Sequence, residues 1–176
     1  MTARVPATAP VQDEAGFRQV AGRLPTGVTL LSTVIDGQPH ATLVNSFTTV
    51  STDPLLVLVS LSTAGRTCAR VTATGAFAVT VLSAEQRDAA QRLADPTRAL
   101  GIEAMGDDWR PAPHSGAPVF AEGVGYFDCA VEQAHQAGDH TVVIAGVRAF
   151  GALSDRAPLM FVRSRLVPPA NRGDLS

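Results

Sequence analysis

Three short polar segments of the 176-residue chain carry the side chains best suited to bind a ligand. The first runs from Asn45 to Ser51, and five of its seven residues bear a hydroxyl or an amide. Such side chains, together with neighbouring backbone N–H groups, can hold a heteroaromatic ring or an anion. A Ser/Thr-rich strand edge that binds nothing has the same composition, so this plainer interpretation stays open.

The other two segments flank apolar stretches. Arg66 and Thr67 come shortly after the apolar run Leu55–Leu61, and a planar guanidinium beside a hydroxyl suits a phosphate. His140 follows a Gly-Asp pair, and its imidazole can donate to a ligand near neutral pH. A solvated arginine and a structural histidine are the alternatives. The other three histidines have no partner at metal-ligand spacing and are predicted to lie at the surface.

Several reaction classes lack the residues that they need. All 14 basic side chains are arginine, so no lysine is available for a Schiff base or a phosphate-binding loop. Cys68 and Cys129 do not form a C-x-x-C pair, which predicts buried free thiols and no metal site. The chain also lacks the G-x-S-x-G motif of nucleophile-elbow hydrolases and a G-x-G-x-x-G motif that opens a helix.

Length and charge exclude further classes of partner. The length fits one domain, predicted over residues 11–166 between flexible tails at 1–10 and 167–176. A net charge of −2 and a pI of about 6.0 provide no basic field for a nucleic acid. No apolar leader and no apolar run of about 18 residues is present, so we expect a cytoplasmic protein without a membrane partner.

The elements that must position the polar segments are mostly strands. Apolar spacing predicts a helix over Gln12–Leu24, and a capping box at Ser83 predicts a second helix that ends at Ala94. Asp36-Gly37 predicts a tight hairpin. The predicted strands are Val28–Ile35, His40–Val44, Leu55–Leu61, Ala76–Leu82, Val124–Gln133 and Thr141–Phe150. Short turns between strands favour a mainly β, antiparallel barrel.

Eight segments of the chain, in order, resemble the flavin reductase-like family. These are the small NAD(P)H:flavin oxidoreductases that act with flavin monooxygenases in two-component systems. The resemblance extends from about Phe17 to Leu166. The segments are Phe17-Arg18, Pro25–Thr29, Asn45–Ser51 with Asp53-Pro54, Gly75–Leu82, Trp109–Pro111, Asp128-Cys129, Gly138–His140 and Pro158-Leu159.

The resemblance implies an FMN-binding split β-barrel of antiparallel, Greek-key topology with a few peripheral helices. Members of the family are normally homodimers with the flavin near the subunit interface. The resemblance also implies FMN or FAD as the flavin and NADH or NADPH as the hydride donor. The reduced flavin would pass to a partner monooxygenase.

The family pattern also assigns roles to individual residues. The residues that would face the isoalloxazine and the ribityl chain are Asn45, Ser46, Phe47, Thr48, Thr49 and Ser51. Arg66 and Thr67 would hold the flavin phosphate. The nicotinamide nucleotide would dock at the catalytic residue His140 and at Phe161, Arg163 and Ser164.

The segment Val162–Leu166 departs from the family pattern, because it lacks the usual glycine and tyrosine. This departure leaves open a flavin-binding carrier or accessory subunit that does not turn over. It also leaves open the choice between NADH and NADPH, for which Arg165 would suit a 2′-phosphate. A flavin-dependent oxidase of an organic substrate is a third hypothesis.

Overall fold

The computed structural model describes residues 13–94, 102 and 106–169. Three predicted features lie outside these residues: the N-terminal tail 1–10, the helix-ending pair Asp95-Pro96, and positions 170–176 of the C-terminal tail. Within the described ranges, no helix is both long enough and apolar enough to cross a membrane.

Twelve strands and three α-helices make up the described part of the chain. The helices are α1 (Glu14–Ala21), α2 (Arg66–Thr74) and α3 (Arg87–Leu93), and a 3₁₀ turn (Ala84–Gln86) precedes α3. The strands are β1 (Thr26–Gly27), β2 (Thr29–Ile35), β3 (Gln38–Val44), β4 (Thr48–Thr52), β5 (Leu55–Ser62), β6 (Ala76–Val81), β7 (Trp109–Pro111), β8 (Pro118–Phe120), β9 (Gly125–Ala137), β10 (His140–Ala152), β11 (Met160–Val162) and β12 (Arg165–Val167). The protein is therefore mainly β, as predicted.

Seven strands form one antiparallel sheet in the order β3-β2-β6-β9-β10-β5-β4. Asp36 and Gly37 have φ values of 51° and 74°, as a two-residue hairpin turn requires, which confirms the predicted hairpin. Gly138, with φ 64°, begins the turn between β9 and β10. β3 and β4 are the two edges and do not pair with each other, so the sheet is open.

One hydrophobic cluster joins strands that lie far apart in this sheet. Leu31 of β2 and Val59 of β5 both belong to it, although three strands separate β2 from β5. The sheet must therefore curve around the cluster. Helix α2 buries Cys68 and Val71 in the same cluster. Because only three residues join β3 to β4, the curved sheet leaves no more than a narrow gap between its edges.

The β7–β8 hairpin is held to the sheet by buried polar side chains. Ser32 Oγ donates to the carbonyl of Pro118 at 2.6 Å. The buried carboxylate of Asp128 accepts hydrogen bonds from the backbone N–H groups of His114 at 2.5 Å and Ser115 at 3.2 Å. Since a buried carboxylate is stable only with such donors, the turn and the sheet depend on each other.

Both cysteines are buried and unbridged, as predicted. Burial, and secondly the charge of Asp128, raise the pKa of Cys129 to about 12, so this thiol is protonated at neutral pH. Among the described residues, no group of three or more His, Cys, Asp and Glu side chains could hold a metal ion.

A small sheet of β1, β11 and β12 packs with α3 around a second cluster that contains Val28, Leu30 and Leu159. The predicted capping box fixes the chain before α3, because the side-chain oxygen of Gln86 accepts the N–H of Ser83 at 3.0 Å. This arrangement places α3 beside β3 and β12.

Several boundaries differ from the predictions. No helix is predicted at α2, and α1 ends at Ala21, three residues before Leu24. β9 continues beyond Gln133 because its pairing with β10 extends to the turn. β12 includes Val167, the first residue of the predicted C-terminal tail, because this residue pairs with Met160.

We expect Asp128→Ala to lower the free energy of unfolding by about 2 kcal/mol or more, because it removes the acceptor of two N–H groups under the β7–β8 hairpin. Urea denaturation measures the change. Asp107→Ala removes an exposed carboxylate near the same hairpin and should change stability by less than about 0.5 kcal/mol. Equal losses in both variants would show that Asp128 is not an anchor.

Candidate functional site

The connection Asn45–Phe47 crosses the gap between the two edge strands. Ser46 fixes its course, since its hydroxyl donates to the carbonyl of Ser60 at 2.7 Å and accepts the N–H of Ser60 at 3.3 Å. Phe47 turns towards the core, where its ring centroid lies 5.2 Å from that of Phe127. The exposed amide of Asn45 has no hydrogen-bond partner within the described ranges, so it is available to a ligand.

Helix α2 begins next to this connection with an uncapped first turn. Gly65 is the N-cap and provides no side chain, and no acidic residue follows in the first turn. The first N–H to donate back along the helix is that of Ala69, to Gly65 O at 3.3 Å. The three N–H groups before it can bind an anion, which the helix dipole favours. Thr67 is positioned there by a 2.8 Å hydrogen bond between its hydroxyl and that of Thr42.

A cavity of about 400 Å³ lies where the crossing segment meets α2. Four predicted site residues line it: Asn45, Ser46, Thr67 and His140. The other lining residues are Thr42, Leu43, Val44, Ser60, Leu61, Ser62, Gly65 and Cys68. Apolar walls with a few hydroxyl, amide and imidazole groups are typical of a site for an organic ligand with polar ends.

His140 is oriented at this cavity by its neighbour in the chain. Its Nδ1 lies 2.8 Å from Oδ1 of Asp139, which leaves Nε2 for a ligand. The hydrogen bond to His140, followed by the charge of His140, holds the pKa of Asp139 below its ordinary value. Thr63 stabilises this corner, because its N–H donates to Asp139 O at 2.9 Å and its hydroxyl lies 3.0 Å from that of Thr141.

A positive field lies beside the start of α2. His40 is two residues from Thr42 on β3, so both face the same side of the strand. Burial lowers the pKa of His40, and the charges of Arg70 and Arg66 lower it further. No carboxylate pairs with Arg66 or Arg70 in the part of the chain that the structure describes. This field favours an anion near the uncapped helix turn.

A second cavity, of about 530 Å³, adjoins the first. The two share Leu43, Val44 and Asn45. The predicted site residues Phe161 and Ser164 line the larger cavity. Its other lining residues are Val28, Arg87, Gln91, Ala94, Arg165, Leu166 and Val167. Two ligands could therefore meet at the shared wall.

The turn between β11 and β12 has an unusual backbone conformation. Arg163 and Ser164 have φ values of 49° and 59°, in the left-handed region that disfavours residues with a Cβ by roughly 1–2 kcal/mol. The N–H of Arg163 donates to Gly22 O at 2.6 Å, which ties the turn to the residue after α1. This strained turn gives Ser164 its place at the larger cavity.

Other predicted residues line neither cavity in this chain. Phe47 packs against the core cluster, and Thr48, Thr49 and Ser51 lie on the edge strand β4. Arg66 is exposed at the first residue of α2, and Arg163 is exposed in the β11–β12 turn. The hydroxyl of Ser51 accepts the N–H of Asp53 at 3.2 Å. Of the polar segment Asn45–Ser51, only Asn45 and Ser46 therefore line a cavity in this chain.

Sequence reasoning missed five lining residues with polar side chains: Thr42, Ser60, Ser62, Arg87 and Gln91. A signal existed for two of them, since Arg87 and Gln91 are four residues apart on a predicted helix and so share a face. Nothing in the sequence distinguishes Thr42 from the other strand threonines. Its role depends on the hydroxyl of Thr67, which α2 brings to it.

The chain thus combines a curved, open β-sheet with two adjoining cavities and an uncapped helix turn, an arrangement suited to small organic anions. The sequence profile of the flavin reductase like domain matches residues 21–169. The chain therefore belongs to the flavin reductase like family, which confirms the resemblance.

Relatives of known activity are similar over nearly the whole chain. An NADH-dependent FAD reductase of Streptomyces globisporus is 36% identical over 166 residues, which covers 92% of this chain and 91% of that protein. The reductase subunit HsaB of a flavin-dependent monooxygenase from Rhodococcus jostii is 34% identical, with coverage of 87% and 76%. A solved structure of the S. globisporus NADH:FAD oxidoreductase SgcE6 with NAD and FAD fragments matches with a TM-score of 0.84 at 32% identity, over 96% of this chain and 99% of that one.

We expect His40 to titrate below the ordinary histidine pKa of 6.5 in an NMR titration, and Arg70→Gln or Arg66→Gln to raise its pKa. Arg148→Gln, which removes an arginine beside Glu132, should leave it unchanged. Because the pKa of His40 is lower in the folded state, the unfolded state binds more protons near pH 6. The contribution of His40 to the free energy of unfolding is therefore complete above about pH 6.5 and is lost as the pH falls below it. A pKa at or above 6.5 would contradict the burial of the His40 ring together with the proximity of the two arginines.

We expect Ser164→Gly to raise the free energy of unfolding by about 1 kcal/mol, because glycine adopts the left-handed conformation without a Cβ clash. Ser164→Ala retains the Cβ and removes only the hydroxyl, so it should not stabilise the protein. Chemical denaturation of both variants separates the two effects. A stabilisation of similar size in both would mean that backbone strain is not its cause.

Proposed function

We propose that this protein is a flavin reductase that uses NADH or NADPH to reduce FMN or FAD and supplies the reduced flavin to a partner monooxygenase. The names of the relatives favour NADH and FAD. The observation that supports this function best is the wall shared by the two cavities at Asn45. Hydride transfer needs two ligands in contact, at about 3–3.5 Å between reacting atoms, and adjoining cavities allow such a contact.

The residues of the smaller cavity fit a flavin. Its phosphate would bind the N–H groups at the start of α2, together with the hydroxyl of Thr67 and the guanidinium of Arg66. The amide of Asn45 and the backbone of the crossing segment would contact the polar edge of the ring. Ser46 would act through its backbone, because Ser60 engages its hydroxyl.

A bound flavin would supply the electron chemistry, so the chain needs no acid–base pair of its own. Its residues would bind and orient the two reactants. His140, held by Asp139 through Nδ1, would offer Nε2 to the nicotinamide nucleotide. Phe161 and Ser164 would bound the space that the nucleotide enters.

We also propose that the open sheet is a split β-barrel whose site is completed in a homodimer. This edge of the sheet supports the proposal, because Val50 of β4 and Leu55 at the start of β5 are 48% and 44% exposed. A bulge between Thr49 and Ser51 interrupts the pairing of β4 with β5. A second copy packed on β4 would bring Thr48, Thr49 and Ser51 to a flavin near the subunit interface.

The remaining parts of the proposal concern the setting of the reaction. A single domain, predicted over residues 11–166 and extended by the pairing of Val167 in β12, would fold alone between its two terminal tails. The cytoplasm would supply the reduced nucleotide. A relative named as a reductase subunit of a flavin-dependent monooxygenase supports a partner of that kind.

Anaerobic mixing of the purified protein with FAD or FMN and NADH or NADPH tests this function. We expect the flavin absorbance to bleach and the nucleotide to be oxidised, with no nucleotide oxidation when flavin is omitted. Reduced flavin should then support turnover by a flavin-dependent monooxygenase added separately. Tight flavin binding without oxidation of either nucleotide would instead identify a carrier, and bleaching by an organic substrate alone would identify an oxidase.

We expect Arg66→Gln to weaken flavin binding by about 1–3 kcal/mol, the range for a lost charge-assisted hydrogen bond. His140→Gln should chiefly raise KM for the nucleotide, because it leaves the helix turn intact. Calorimetry measures the first effect and steady-state kinetics the second. Arg110→Gln is the control for charge, since Arg110 lies over Tyr126 on the β7–β8 side. Equal losses of flavin affinity in the Arg66 and His140 variants would overturn this division.

A further inference from the structure

The larger cavity contains charged groups that the flavin site does not use. Arg87 and Arg165 both line it, from α3 and β12 respectively. Neither has a carboxylate partner in the part of the chain that the structure describes. Both side chains are exposed, so their guanidinium groups are accessible to an anion that enters the cavity.

The secondary structure directs both arginines to this space. Arg87, Gln91 and Ala94 are spaced by four and three residues, so one face of α3 and its C-cap line the cavity. Arg165 directly follows the strained turn, whose first N–H is fixed to Gly22 O. A strained conformation that other contacts maintain is often part of a functional site. Here the hydrogen bond to Gly22 and the pairing of β12 with β11 maintain the strained turn and keep Arg165 at the cavity.

An amide and a hydroxyl complete the polar set. Gln91 and Ser164 line the same cavity as the two arginines, and Asn45 lines its boundary with the smaller cavity. The hydroxyl of Thr26, on the strand that pairs with Phe161, is buried and has no partner within the described residues. The apolar part of the wall consists of side chains such as Val28, which would contact a ring. A ligand with a planar apolar ring attached to a phosphate would match both the apolar and the polar parts of this lining.

We propose that Arg87 and Arg165 bind a phosphoryl group of the nicotinamide nucleotide, with Gln91 and Ser164 as neutral donors. This inference rests on the proposed function, because it names residues for the hydride donor of that reaction. Two phosphoryl groups have this chemistry: the pyrophosphate common to NADH and NADPH, and the 2′-phosphate that only NADPH carries. The arginines act as binding and specificity-determining residues, and they take no part in the hydride transfer.

The test compares Arg165→Gln, Arg87→Gln and the double variant with the wild type and with the charge control Arg110→Gln. KM is measured for NADH and for NADPH at a fixed saturating flavin concentration, and calorimetry measures binding of NAD⁺ and NADP⁺. We expect each single variant to raise KM about tenfold for at least one nucleotide while kcat stays nearly constant, since binding alone is lost. Arg110→Gln should change neither constant. Added salt should raise the wild-type KM more than that of the double variant.

The pattern of losses identifies the phosphoryl group. An increase in KM for NADPH alone assigns the arginines to the 2′-phosphate, and equal increases for both nucleotides assign them to the pyrophosphate. Unchanged KM values for both nucleotides overturn the proposal. A loss of flavin affinity with unchanged nucleotide KM also overturns it, because the arginines would then serve the flavin.

The binding measurement separates this inference from the proposed function. If the wild type oxidises neither nucleotide in the presence of flavin, the proposed function is wrong. The calorimetric comparison still decides the role of the arginines, because it requires no turnover. Weaker binding of NAD⁺ or NADP⁺ by the variants then supports the nucleotide site, and equal or absent binding in wild type and variants overturns it. Arg165→Lys retains the charge without the planar fork and should recover only part of the affinity.

Discussion

The curvature of the seven-stranded sheet around one hydrophobic cluster is the constraint on which the site depends. Because β2 and β5 contribute to the same cluster from distant places in the sheet, the edges β3 and β4 are brought close without pairing. The chain must then cross an open gap in three residues, with backbone groups that no ladder satisfies. The two hydrogen bonds between Ser46 and Ser60 hold this crossing in place. The first residue of the crossing, Asn45, lines both cavities.

The chemistry of the site consists of binding groups rather than reacting ones. The chain contains no lysine, no metal-ligand cluster lies among the described residues, and burial keeps the thiol of Cys129 protonated. Such a set suits a reaction whose electrons reside in the ligands. The protein then contributes orientation, which requires that its donors be fixed beforehand. The Thr42–Thr67 and Asp139–His140 hydrogen bonds do this from two sides of the smaller cavity.

The sequence predicts correctly those elements that depend on residues close together in the chain. The Asp36-Gly37 hairpin and the Ser83–Gln86 capping box are correct because turn chemistry and capping depend on neighbouring residues. Helix α2 was not predicted because its N-cap is a glycine without a capping side chain and its sequence contains several β-branched residues. Tertiary burial of Val71 supplies the stability that its propensity lacks.

The candidate site could be predicted in part for the same reason. Asn45, Thr67 and His140 belong to segments whose polar composition stands out between apolar strands, and the structure gathers them at one cavity. These three residues come together because the sheet is curved, and the curvature cannot be predicted from any single segment. Arg87 shows this limit. Helical spacing predicts that Arg87 and Gln91 share one face of α3, but it does not predict which strand packs against that face.

The β11–β12 turn shows why a departure from a family pattern need not remove a function. A type I′ two-residue turn places both of its residues in the left-handed region whatever their side chains, and the pairing of Val162 with Arg165 leaves two residues for the turn here. Arg163 and Ser164 therefore adopt φ values that glycine would take without strain. The packing of Phe161 and Leu166 against the second cluster, together with the hydrogen bond from Arg163 to Gly22, offsets the cost of this strained conformation. Where the family pattern has a glycine, this chain has the hydroxyl of Ser164 at the larger cavity, so the departure changes the chemistry offered to a ligand.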